Sequence, residues 1–580
     1  MSRGARVLLL VVLALGALPA GASAHAQLDG TAPQRGAVLR AAPAQVVFRF
    51  DEPVEGTFGA VRVFDRAGKR VDAGDAFHPR GAGTALAVHL RSQVPQGSYT
   101  ATYRVVSADG HIVSGGFVFS VGHATSSGRT VAQLTAAGGA GAVGDAVFGL
   151  ARGLQFAALA VALGALAFLL LVWRAVGREP AIAAQAGGAA SEAFARATRR
   201  LVLVAAGVGA ASAAAAVVME GAQAAGLGGL DALRERIVRE TLQTRFGTMW
   251  GLAVLAWIAL AALAGWALRE RDREPAPATF ALASVAVPAG FLLLLPALGG
   301  HAASQSPSGL LVPANVLHVA GMCVWVGGIA TLLLALPAAT GRLDPPDRGR
   351  LLADVLARFS PLALAAVVAI LASGLLQSYV YVRTPAHLLD TAFGRAVLIK
   401  LVLLLALIAL GAWQRRRSLP RLRRLAADGA PPGRAGVLLR RALRAEAALM
   451  LVVLGVTAAL SGYPPSTALA TGPFNTTATV GPAQLQLTVD PALTGANEIH
   501  LYLLSPRDGS QFTRAKEVAV SASEQRHAIG PLQLHAHQAG PGHYVVPDVV
   551  LGVAGTWRLL VSVRVSAFDE YTTRVQVPIR

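Results

Sequence analysis

The spacing of hydrophobic residues along this chain changes character several times, and each change predicts a different kind of element. Residues 7–18 form a short apolar run behind Arg3 and Arg6, closed by Ala22-Ser23-Ala24. That run is shorter than the roughly 20 apolar residues a membrane span requires. Its charge order and small-residue end predict a cleaved leader over residues 1–24, which makes His25 the first residue of the mature chain. From 25 to about 122 the pattern is that of strands: alternating or β-branched runs at 45–50, 60–64, 85–90, 98–106 and 117–121, broken by turn material such as Pro95-Gln96-Gly97. These runs predict a small all-β sandwich or barrel. A stretch rich in Gly, Ala, Ser and Thr over 123–146 reads as a linker.

The middle of the chain is different in kind. Eight continuous apolar runs, near 148–173, 199–220, 247–268, 279–298, 311–336, 358–381, 393–413 and 444–462, are each long enough to span a bilayer. They predict a transmembrane domain over 147–462. Two segments repeat: Thr244-Arg-Phe-Gly-Thr before the third run matches Thr391-Ala-Phe-Gly-Arg before the seventh. Two four-helix halves of the same orientation follow, a parallel repeat of the kind some transporters use. Strand grammar returns at 484–489, 498–504, 517–520, 556–565 and 572–578, predicting a second external β-domain over 466–580. The fold class is a multidomain membrane protein: an N-terminal all-β domain, an eight-helix bundle and a C-terminal all-β domain.

Composition sharpens this picture. The chain is 54% hydrophobic and only 14% charged, as expected of a protein dissolved partly in lipid. Its net charge of +19 does not signal nucleic acid, because the arginines crowd into short loops between apolar runs. With residue 25 led outward, the four loops assigned to the cytoplasm hold twenty Arg and the three outer loops five, a positive-inside bias. This places a multi-pass protein in the cytoplasmic membrane with both β-domains outside. The single cysteine, Cys323, lies within an apolar run and excludes an intrachain disulfide framework.

The most informative residue chemically is His25. A histidine at a free N-terminus offers its amine and its imidazole Nδ1 to one ion. Asp109-Gly110-His111 adds a carboxylate and a second imidazole. Nitrogen-rich ligation of this kind suits copper(II), which heads the affinity order of divalent first-row metals.

These residues also carry a resemblance. His25-Ala-Gln-Leu, Phe50-Asp-Glu-Pro-Val-Glu55 and Val105-Val-Ser-Ala-Asp-Gly-His111-Ile-Val-Ser-Gly-Gly-Phe resemble the CopC copper-binding family across nearly all of 25–121. The resemblance implies that His25, Asp109 and His111 bind copper(II). It leaves Glu52 as either an outer partner of the ligands or a solvated turn carboxylate. Some CopC proteins carry a methionine-rich copper(I) site, but no methionine occurs between His25 and Val121. His78 and His89 read as surface residues. Gly300-His301, His318-Val-Ala-Gly-Met-Cys-Val-Trp325-Val-Gly-Gly328 and the segments from Phe359 and Thr391 resemble the CopD family, which is associated with copper uptake or resistance.

Within the bundle, His318 and Met322 stand four apart on one helical face with Cys323 beside them. Imidazole, thioether and thiol are donors that copper(I) favours, and an ionisable side chain within a bilayer is a functional candidate. His301, His318, Met322 and Met249 form an expected copper path in the outer half of the membrane. The C-terminal domain, with Gly540-Pro-Gly-His-Tyr544, resembles a β-domain attached to some CopD-type proteins. Its His535-Ala-His537 and nearby His543 are expected to bind metal if 535 and 537 share a strand face.

No hydrolase triad, phosphate loop or dinucleotide fingerprint stands where such chemistry needs it, so the expectation is a non-enzyme. The leading function is capture of copper(II) outside and transport of copper inward. Its partners are copper ions, the bilayer and an external copper donor or reductant, with no nucleic acid. Two alternatives stay open: copper sequestration for resistance without transport, and a membrane copper reductase or haem-linked redox protein using His301 and His318.

Overall fold

The computed structural model describes residues 26, 28–34, 37–56, 60–107, 112–123, 134, 141–176, 187–225, 227, 233–270, 275–382, 385, 387–460, 474–490, 492–506 and 510–579. The leader, His25, Asp109 and His111 lie outside the described residues.

The N-terminal domain has strands β1 (Leu28–Ala32), β2 (Val38–Leu39), β3 (Gln45–Phe50), β4 (Val61–Phe64), β5 (Ala85–His89), β6 (Gly97–Val106) and β7 (Ile112–Val121). They form two sheets, ordered β1-β3-β5 and β2-β7-β6-β4. Alternation decides which residues face inward. Val46, Phe48 and Phe50 of β3 are buried against Tyr103 of β6 and Phe117 of β7, with Phe48 edge-on to both rings at 5.3 Å. Aromatic payload of this kind dominates a small sandwich core.

Among the described residues, the central region includes the helices α1 (Gly141–Phe168), α2 (Gly187–Ala225), α3 (Glu235–Gln243), α4 (Arg245–Glu270), α5 (Pro275–Leu298), α6 (Ser308–Met322), α7 (Pro345–Val382), α8 (Ala392–Trp413) and α9 (Gly433–Leu460). Among the described residues, seven helices are long and apolar enough to cross a membrane, and the apolar part of α5, Ala283–Leu298, makes a shorter eighth. The remaining helix of this set, α3, is short and polar, with a salt bridge between Arg236 and Glu240.

The repeat read from sequence has a structural counterpart. Thr244 Oγ1 accepts a hydrogen bond from Gly247 N at 3.0 Å, and Thr391 Oγ1 accepts one from Gly394 N at 2.9 Å. Each threonine satisfies an otherwise orphaned N–H in the first turn of α4 or α8. Phe246 and Phe393, one residue before those glycines, are both buried.

The first helix of each half also runs into a π-helical turn, Leu169–Trp173 after α1 and Cys323–Gly327 after α6. The two helices cross where Gly164 meets the second of these turns. A Cβ on Gly164 would lie 2.1 Å from Cys323 O, and one on Gly327 would lie 2.1 Å from Ala160 O. Small residues allow this backbone approach, which is how helices associate where lipid removes the hydrophobic drive.

The C-terminal domain comprises β8 (Phe474–Val480), β9 (Ala483–Asp490), β10 (Gly495–Leu504), β11 (Glu517–Glu524), β12 (Ile529–His535), β13 (His537–Gly540), β14 (His543–Leu551), β15 (Gly555–Arg564) and β16 (Glu570–Ile579). A five-stranded sheet, β13-β14-β10-β9-β8, faces a four-stranded one, β12-β11-β15-β16. Leu485, Leu487, Ile499 and Leu501 of the first pack with Val520, Trp557, Leu559 and Val561 of the second. The residues between them point outward, so the outer face of β10 carries Glu498, His500 and Tyr502.

Candidate metal centre and membrane path

The residues flanking His25, Asp109 and His111 come to one end of the N-terminal sandwich. Ala26 is buried in its core, and two residues on Leu28 opens β1 opposite Phe50, the last residue of β3. The chain then passes through Asp51 and Glu52 to Glu55, whose N–H and C=O both bond Val106, each at 2.8 Å. Val106 ends β6, and Ile112, directly opposite it, begins β7. Leu28, the Glu52–Glu55 turn and the residues Val106 and Ile112 on either side of the segment that contains Asp109 and His111 are therefore neighbours. Glu52 is half-buried in that turn.

The other two histidines of this domain have structural partners. His78 Nδ1 lies 2.7 Å from Ala85 O, and His89 Nδ1 lies 2.6 Å from Asp75 Oδ2. His89 also stacks on Phe77.

In the bundle, α6 and α7 share a polar row. His318 Nδ1 lies 3.1 Å from Ser373 Oγ, and Asn315 Nδ2 donates to Gln377 Oε1 at 3.1 Å. Gln377 Nε2 in turn donates to the Ser373 carbonyl at 3.1 Å. Lys400 of α8 lies within electrostatic reach of His318. Sequence reasoning singled out His318 and missed Asn315, Ser373 and Gln377. The available signal was spacing: Asn315 and His318 are three apart, and Ser373 and Gln377 four apart, each pair on one face of an apolar helix.

The other expected path residues divide. Met249 and Met322 join one apolar cluster with Val319 and Cys323, and the buried Cys323 thiol faces Leu159 O at 3.7 Å. His301 packs edge-on to Tyr381 at 6.2 Å. His301 and His318 thus meet α7 at Tyr381 and Ser373, about 12 Å apart along the helix axis. Among the described residues, no group of three or more His, Cys, Asp or Glu side chains is placed to hold a metal ion.

In the C-terminal domain the expected strand face does not hold. His535 ends β12 in the four-stranded sheet, and His537 begins β13 in the five-stranded one. Ala536 packs against the core at the crossover between them, so the period of two is broken there. His543 finds a different partner, His500, with Nδ1 of His500 at 3.2 Å from Nε2 of His543. Burial, with His500 alongside, pushes His543 down to about 3, so its ring is neutral. Tyr502 stacks on His543 with ring centroids 4.2 Å apart.

Comparison with known proteins accounts for most of the chain. Three family models match it: the CopC domain at residues 28–122, the N-terminal domain of copper resistance protein D-like proteins at 143–311, and copper resistance protein D at 353–460. The copper transport protein CutJ of Bacillus subtilis (strain 168) is 30% identical over 473 residues, covering 80% of this chain and 79% of its own. Protein YobA of Escherichia coli (strain K12) is 32% identical over 98 residues, 17% of this chain and 79% of its own. Among solved structures, CopC from Methylosinus trichosporium OB3b is 31% identical and covers 17% of this chain and 93% of its own, with a TM-score of 0.16.

Proposed function

Because the chain belongs to the family of copper transport and resistance proteins that join a CopC domain to a CopD membrane domain, we propose that it captures copper(II) outside the cell and moves copper inward. Capture falls to His25, Asp109 and His111, with Glu52 as an outer partner of these ligands. The observation that carries this reading is the convergence of their described flanks: Leu28 opposite Phe50, and Glu55 bonded to Val106 at the root of the Asp109–His111 loop. A bidentate N-terminal histidine with a second imidazole and a carboxylate satisfies copper(II) without an open reactive position, which argues for binding over oxidative catalysis.

Passage through the membrane falls to His318 and its polar row. Four polar side chains between two apolar helices are costly in lipid, and their persistence there points to cargo. Transport of copper(I) rather than copper(II) requires a one-electron reductant outside the membrane.

His318→Ala is expected to lower cytoplasmic copper under scarcity, while copper(II) binding by the outer domain stays intact. Isotopic copper uptake into cells measures the first, and titration of purified protein the second. If deletion of the whole protein raises cytoplasmic copper, the resistance reading replaces import.

Orientation has its own test. Reporter fusions after Arg417 and after Ser466 are expected to report cytoplasm and exterior, respectively. The same compartment for both would remove α9 as a span.

A further inference from the structure

The outer face of the five-stranded sheet in the C-terminal domain gathers more donor groups than a solvated surface needs. Strand register puts them there. His500 stands opposite Val545, and Val545 stands opposite His537, so the three occupy one row across β10, β14 and β13. His543 is two residues before Val545, on the same face. Tyr502, directly opposite His543, stacks on it and closes one side.

The ring nitrogens within this group are arranged in sequence. A Glu498 carboxylate oxygen lies 3.7 Å from His500 Nε2 and favours the proton on that nitrogen. The lone pair of His500 is then on Nδ1, which faces His543 Nε2 at 3.2 Å. This is the carboxylate–histidine order that fixes tautomer and ring orientation in metal sites. The two rings meet nearly end to end, with centroids 5.5 Å and planes 17° apart, so an ion bound to both nitrogens lies off the line between them and each ring must tilt toward it. With metal–nitrogen bonds of about 2.0–2.1 Å, a 3.2 Å edge subtends about 100–106°, between square-planar and tetrahedral angles. The pair is reachable, since 16% of the His500 side chain is exposed.

We propose that His500 and His543 form a second transition-metal site, filled by copper(II), with Glu498 positioning His500. On binding, the ion takes the place of the proton between the two rings, and that proton moves to Nδ1 of His543. The choice of copper rests on the function proposed above, whereas the site itself does not.

The test uses the full-length protein in detergent, titrated with copper(II) against a weak chelator. A His25→Ala, His111→Ala background removes the N-terminal site, and one copper equivalent is expected to remain. His500→Gln in that background loses it, Glu498→Gln weakens it by about tenfold, and His535→Ala leaves it unchanged. The remaining copper should show coupling to two imidazole nitrogens by electron paramagnetic resonance. Hydrogen exchange of the β10 and β14 amides verifies that the strand pair survives each substitution; Glu498 is on the surface and decides the matter if His500→Gln disturbs it. Two outcomes overturn the proposal: no copper remaining in the background protein, or the same copper retained by both His500→Gln and Glu498→Gln. Failure of the N-terminal reading looks different, because His25→Ala, His111→Ala would then bind as much copper as the unaltered chain.

Discussion

Changing His25 to alanine is expected to weaken copper(II) capture by more than about 100-fold, beyond the 10–100-fold typical of losing an outer partner. The substitution removes an imidazole nitrogen and, with it, the chelate ring that the amine closes. Adding one residue before His25 should also weaken capture at neutral pH, because the amine becomes an amide that coordinates only after giving up its proton. His78→Ala is the matched control, since its ring is occupied by Ala85 O and stands in no candidate ligand set. Competition against a copper(II) chelator measures all three. Affinity should also fall as pH drops through the histidine range, where protons compete for the same nitrogens. Equal affinities for His25→Ala and His78→Ala would move the site elsewhere.

The second large effect is structural. Gly164→Ala is expected to destabilise the membrane domain by at least about 3 kcal/mol, the upper end of ordinary overpacking. Its Cβ would stand 2.1 Å from Cys323 O and 2.5 Å from Gly327 Cα. Both obstacles are backbone, so no side chain can rotate away to make room. Gly207→Ala, in the middle of α2 with nothing within 4 Å of the added carbon, should instead stabilise the protein slightly. Thermal midpoints in detergent separate the two; equal midpoints would mean that α1 and the turn after α6 do not touch as described.

Much of the fold could be read along the chain because the elements differ in hydrophobic period. The run at 45–50 became β3 at those bounds, seven of the eight apolar runs became helices long and apolar enough to cross a membrane, and the run at 279–298 became a shorter one. Short polar strands were harder. β13 is only four residues and mostly exposed, and β14, though largely apolar, is interrupted by Pro547-Asp548; neither was read as a strand. That omission hid the histidine pair, since His500 and His543 are 43 residues apart and meet only through the β10–β14 register. The reading of His535 and His537 failed for a local reason, the sheet change at Ala536. In the bundle, the neutral partners of His318 were missed because amides and hydroxyls leave no charge to notice. The proposed copper(II) ligands His25, Asp109 and His111 come from motif alone and lie outside the described residues, so only their flanks meet the fold.

The row beside His318 is built from two amides, a hydroxyl and an imidazole. Such dipoles can turn toward a passing cation but bring no countercharge of their own. The cost of stripping water from an ion rises with the square of its charge, so a doubly charged ion faces about four times the barrier of a singly charged one of similar size. A lining of this type discriminates by valence before it discriminates by element. It also lets the ion go, because a dipole relaxes when the ion departs and holds no charge to restrain it. If copper passes between α6 and α7 as proposed, the electron that turns copper(II) into copper(I) is best delivered before the ion enters.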